Sequence, residues 1–149
     1  MLKPILVSAC LLGLPTRYDG KHKDNYPVRK HLKEKGLQPI PVCPEQLAGL
    51  PTPRPRCWFD TGDGKGVLTG QGRLVRFDGM DMNSSFIQGA EVTLEIARLT
   101  GCRTALFKEG SPSCGVTRIY CKQQSVSGQG VATAMLQRNG LRVYGEEDI

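Results

Sequence analysis

A chain of 149 residues with a formal net charge of +6 is long enough to bury a hydrophobic core without disulfide staples. Its N-terminal apolar run of about five residues is too short for a secretory signal, and no stretch approaches the roughly 18 apolar residues of a membrane span. A single cytoplasmic domain over residues 1–149 with no membrane partner is expected, and without a Lys/Arg run a nucleic-acid surface is not signalled.

Pro4 to Ala9 is a short apolar run that predicts a buried strand, followed by a loop with Gly13, Pro15 and the turn pair Asp19-Gly20. Pro27 to Lys35 predicts a short helix closed by Gly36. Gln38 to Val42 predicts a second strand, and Pro39 and Pro41 suit it to a sheet edge. Val67-Leu68 and Leu74 to Phe77, joined around Gln71-Gly72, read as a β-hairpin. Asn83 to Thr100 has helical apolar spacing and ends at Gly101. Thr104 to Phe107 predicts a third core strand, Val131 to Arg138 a helix, and Leu141 to Tyr144 a last strand. This alternation predicts an α/β fold: a small Rossmann-like or flavodoxin-like three-layer sandwich with a mainly parallel sheet and an inserted β-hairpin.

Six cysteines in a reducing compartment point to metal binding or catalysis rather than disulfides. Cys10 and Cys43 directly follow the first two strands, and Cys114 lies a few residues beyond the third. In a parallel sheet those strand ends share one edge, where the loops form the ligand crevice. Three thiolates there suit a cubane cluster with one iron left open, or zinc with an open position. Cys57, beside Trp58, is the next candidate ligand; Cys102 and Cys121 read as packing. Glu45 stands two residues from Cys43, and Ser111 and Ser113 stand beside Cys114, so a carboxylate and two hydroxyls accompany the thiols. The Gly-rich segment Ser125 to Gly130 precedes a predicted helix. With Ser127, Gly128 and Gly130 at its N-terminus and Lys108 and Lys122 flanking the Cys114 loop, it suits a phosphate.

Val7-Ser8-Ala9-Cys10-Leu11-Leu12-Gly13, Arg17-Tyr18-Asp19-Gly20, Cys43-Pro44-Glu45, Gly49 to Arg54 and Ser111-Pro112-Ser113-Cys114-Gly115 together resemble the thiouracil desulfidase family nearly end to end. The resemblance implies a Rossmann-like domain with a 4Fe–4S cluster on Cys10, Cys43 and Cys114, whose fourth iron binds the substrate sulfur. Glu45 and Ser111 fall at the family's active-site acid and hydroxyl. Thr16 stands where many relatives carry a further cysteine, so that thiol is absent here. The implied reaction is non-redox replacement of sulfur by oxygen on a thiolated pyrimidine, with cluster-assembly machinery as an implied partner; the phosphate-suited Ser127 to Gly130 entrance with Lys108 and Lys122 puts 4-thiouridine monophosphate before free thiouracil. The other classes are a sulfur-carrier or cluster-binding protein, and a desulfidase acting on thiolated tRNA.

Overall fold

The computed structural model describes residues Met1–Ile149. Ile5, Leu6 and Val7 are fully buried, so β1 (Lys3–Ser8) is apolar on both faces, as a central parallel strand must be. It pairs in parallel with β2 (Leu37–Val42) on one side and with β5 (Thr104–Phe107) on the other. β5 in turn pairs in parallel with β8 (Arg142–Gly145), which gives the order β2-β1-β5-β8. Pro39 and Pro41 are tolerated because β2 has a neighbour on one side only.

Alternation along the strands divides the core in two. Ile5, Val7 and Leu106 meet Leu11 and the buried Val28 and Leu32 of α1 (Tyr26–Glu34). Leu6, Ala105, Phe107 and Val143 meet α4 (Asn83–Thr100) and α5 (Val131–Arg138) through Phe86, Ala90, Leu94, Val131, Met135 and Leu136. The expected sandwich of helix, parallel sheet and helix is therefore present. No helix is long and apolar enough to cross a membrane.

The expected hairpin is not formed as read. Val67 and Leu68 lie in a short helix, α3 (Gly64–Thr69), whose first turn is capped by the Asp63 carboxylate accepting from the Gly66 amide at 3.3 Å. A two-residue apolar run carries no period, so local capping chemistry decided its state. The strand β4 (Arg73–Arg76) instead pairs antiparallel with β3 (Cys57–Thr61), with Trp58 opposite Val75. A second sheet, ordered β4-β3-β6-β7, adds a hairpin of β6 (Arg118–Cys121) and β7 (Gln124–Ser127). Phe59, Leu74 and Ile119 pack it onto the α4–α5 side of the core.

Leu6→Ala removes a fully buried side chain from the central strand and is expected to destabilise the fold by about 2–5 kcal/mol in denaturant titration. Leu99→Ala, at a position that is 76% exposed, is expected to change stability by less than about 0.5 kcal/mol.

Candidate active site

The C-terminal ends of β1, β2 and β5 open into one crevice, a cavity of about 310 Å³ lined by Cys10, Cys43 and Cys114 together with Cys57, Glu45, Ser111 and Ser113. The chain passes from β1 to β2 over the α1 face and reaches β5, on the other side of β1, from α4 on the opposite face, so the crevice sits where an open α/β sheet places its ligands. Cys10 lies in a single 3₁₀ turn, Ala9–Leu12, directly after β1. Cys43 is the N-cap residue of the short helix α2 (Pro44–Leu47), and Cys114 is buried in the loop after β5. All six cysteines are free thiols. Cys102 contacts the Thr100 hydroxyl at 3.2 Å, and Cys121 donates to the Asp60 carbonyl; neither lines the cavity.

Burial pushes the Cys10 thiol up to about 11, against the nearby Lys108 charge. It raises Cys43 and Cys114 as well; for Cys114 this outweighs the hydroxyl of Ser8. Cys57 is pushed up to about 12 by burial, with the Glu45 charge adding to the effect. These thiols hold their protons near neutrality, so any metal they bind must displace protons.

The carboxylate of Glu45, in the first turn of α2, faces the same cavity. Its Oε1 accepts from Arg54 Nε at 3.0 Å and its Oε2 from the Ser113 hydroxyl at 3.0 Å. Ser111 Oγ lies 3.0 Å from Ser113 Oγ and accepts from the amides of Ser113 and Cys114. A hydroxyl carries one proton. With Ser113 donating to Glu45, Ser111 donates to Ser113, which gives a relay Ser111–Ser113–Glu45. Ser113, buried, is thus the hydroxyl on the carboxylate, and the half-buried Ser111 stands one step further out.

The phosphate site expected at Ser127, Gly128 and Gly130 is not there. Ser127 ends β7, and none of the three residues lines the cavity. The amides that open α5 are already occupied: Val131 donates to the Pro112 carbonyl, and Ala132 and Thr133 donate to the Ser113 carbonyl. A Cβ on Gly130 would stand 2.5 Å from that carbonyl oxygen, so glycine is what allows this approach. The helix end holds the Cys114 loop rather than a ligand. Lys122 sits in the exposed β6–β7 turn, outside the cavity. Lys108 does line it, with Nζ donating to the Glu109 carbonyl at 2.9 Å and to Glu146 at 3.3 Å.

Two residues given no role from sequence complete the site. Arg54, 8% exposed, reaches Glu45 and Cys43; it lay inside the Gly49 to Arg54 motif without an assigned role. Glu109, 3% exposed, accepts from the Thr117 hydroxyl at 2.7 Å and from the amides of Val116, Thr117 and Arg118, which closes the loop that carries Ser111, Ser113 and Cys114. An acidic residue just past a core strand is its only sequence signal.

Fold and site together define a Rossmann-like α/β protein whose switch-point crevice gathers three strand-end thiols and a braced carboxylate. The sequence profile of the 2-thiouracil desulfurase family matches residues 5–148, and the chain belongs to that family. It is 36% identical over 148 residues to YbbK, an uncharacterised protein of Bacillus subtilis, across 97% of each chain. A solved structure of a 4Fe–4S-dependent thiouracil desulfidase, TudS, is similar with a TM-score of 0.84 and 40% identity, over 99% of this chain and 93% of that one.

The Glu109 brace has a pH signature. Burial alone would raise its pKa, but the Thr117 hydroxyl and the three amides outweigh it and hold the carboxyl below its ordinary value. A depressed folded-state pKa stabilises fully above the unfolded value near 4.5, and this contribution is lost as pH falls through the folded value. Glu109→Gln is expected to cost about 1–3 kcal/mol at neutral pH. In denaturant titrations from pH 7 downward, the gap from wild type is expected to narrow below about pH 4.5.

Proposed function

We propose that this protein is an iron–sulfur-dependent, non-redox desulfidase in which Cys10, Cys43 and Cys114 hold a 4Fe–4S cluster and Glu45 is the acid–base group. The observation that carries the reading is the meeting of three strand-end thiols and the braced Glu45 in one crevice. The donor set fits the group. Thiolates are the ligands of iron–sulfur clusters, and three of them leave one position of a four-iron cubane without a protein ligand. The 4Fe–4S dependence of the TudS neighbour supports the same cofactor.

When bound, the cluster supplies a Lewis-acidic iron open to a soft sulfur ligand. The protein's own groups handle water and protons. The net change is hydrolysis of the thiocarbonyl: C=S and water become C=O and hydrogen sulfide, with no net oxidation or reduction. Glu45, fixed on both oxygens by Arg54 and Ser113, takes the proton of the attacking water. Protonated Glu45 then returns that proton to the departing sulfur through the Ser113 and Ser111 hydroxyls, whose hydrogen bonds reverse as it passes. Such an acid–base apparatus favours an enzyme over a sulfur or cluster carrier. The confined crevice favours a small thiopyrimidine over tRNA.

The substrate reading is a phosphorylated one, 4-thiouridine monophosphate. Its support is Arg56 in the cavity lining, with Arg17 and Lys108 lining the same cavity but paired with Asp19 and Glu146. Arg56 lies 5.8 Å from the Tyr18 ring centre and 5.5 Å from that of Tyr120, and no carboxylate pairs with it. An arginine stacked between aromatic rings and unpaired is pre-set for a phosphate.

Single serine substitutions at Cys10, Cys43 or Cys114 are expected to abolish the broad absorption near ~400 nm and the roughly four irons per chain of anaerobically reconstituted protein. Alanine at Cys57, Cys102 or Cys121 is expected to leave both. With the cluster retained, Glu45→Gln is expected to lower kcat by about 10²–10⁴-fold.

The substrate assignment is checked by comparing kcat/KM for 4-thiouridine monophosphate, the nucleoside and free thiouracil. The monophosphate is expected to lead by on the order of a hundredfold, and Arg56→Ala to remove most of that lead.

A further inference from the structure

Arg54 is a buried cation whose side chain is 4% exposed, and each of its donors is used. Nε donates to Glu45 Oε1 at 3.0 Å, and Nη1 to Thr52 Oγ1 at 2.9 Å and the Pro51 carbonyl at 3.4 Å. Nη2 donates to the Thr16 carbonyl at 2.9 Å and to Cys43 Sγ at 3.8 Å. Its backbone amide donates to the Tyr18 carbonyl at 2.8 Å. A charge taken out of water is costly unless it is paired and its hydrogen-bonding capacity is filled. Glu45 is the one carboxylate that pairs with it, and the other acceptor able to carry negative charge is the Cys43 sulfur. The planar fork reaches both at once, which the single ammonium of a lysine cannot do.

We infer that Arg54 is the positioning residue of this site: one guanidinium fixes the Glu45 carboxylate and donates to the Cys43 sulfur, coupling the orientation of the acid–base group to the electronic character of the cluster. The inference rests on the reading that Cys43 is a cluster ligand. Positive charge and hydrogen bonds at a ligating sulfur stabilise the more reduced, more negative cluster, so Arg54 holds the reduction potential up. Its hold on Glu45 keeps the carboxylate aimed at the crevice, where a misplacement of about 1 Å costs on the order of a hundredfold in rate.

The test compares cluster-loaded wild type, Arg54→Lys and Arg54→Ala by iron content, midpoint potential, kcat and KM. Arg54→Lys is expected to load iron as wild type does, with a potential closer to wild type than that of Arg54→Ala. Its kcat is expected to fall at least about tenfold with KM little changed, because the charge stays and the fork is lost. Arg54→Ala is expected to show a lower potential, and added guanidinium to restore part of its kcat. A cluster-loaded Arg54→Lys with wild-type kcat overturns the inference, as does a cluster-loaded Arg54→Ala with an unchanged potential and no response to guanidinium. Should Arg54→Ala fail to fold, the kcat of Arg54→Lys decides alone. Wild type that binds no iron overturns the ligand reading itself, which separates that failure from this one.

Discussion

Parallel pairing of β1 with both β2 and β5 points three strand ends at the same sheet edge, and the rest of the site depends on that constraint. The pairing holds because Ile5, Leu6 and Val7 are buried on alternate faces, Leu6 against α4 and α5, Ile5 and Val7 against α1. A strand fully apolar on both faces has no stable place except between two neighbours and two helical layers. Once it is there, Cys10, Cys43 and the loop bearing Cys114 have no other edge to emerge from.

Burial then makes the crevice chemically demanding. It pushes the thiols toward their protonated forms, so any metal group they bind must offset the loss of their protons. The charge that does stay buried is compensated locally. Arg54 and Glu45 neutralise each other, and each residue that holds Glu45 also reaches a thiol: Arg54 donates to Cys43 Sγ, and the Ser113 hydroxyl lies 3.7 Å from Cys114 Sγ. Glu45 and the thiols of Cys43 and Cys114 are therefore parts of one hydrogen-bonded frame, and displacing any member disturbs the others.

The loops of that frame are set by close backbone approach. Gly89 of α4 meets α2 so tightly that a Cβ there would lie 2.1 Å from the Pro44 carbonyl oxygen, which seats the turn carrying Cys43 and Glu45. Gly130 does the same for the Cys114 loop, whose carbonyls occupy the first amides of α5. The second sheet supplies the remaining wall, with Cys57 at the start of β3 and Arg118 and Tyr120 of β6.

From sequence alone, the apolar runs at Pro4–Ala9 and Thr104–Phe107 and the helical period of Asn83–Thr100 located the central strands and the long helix, because burial on a repeating element leaves a repeating pattern. The motifs around Cys10, Cys43 and Cys114 located the crevice, because a strand followed at once by a reactive residue has few places to put it. Only tertiary structure decided the remainder. Val67-Leu68 is too short to show a period, and β7, Gln-Ser-Val-Ser, is a strand because it finds β6 as a partner rather than because of its composition. The glycines before α5 look the same in sequence whether their amides face a phosphate or the carbonyls of Pro112 and Ser113. The pairing of Arg54 with Glu45 and Cys43, and of Glu109 with the amides that close the Cys114 loop, arises between segments that meet only in the fold. A side chain's own position in the chain carries no record of which distant acceptor it will reach.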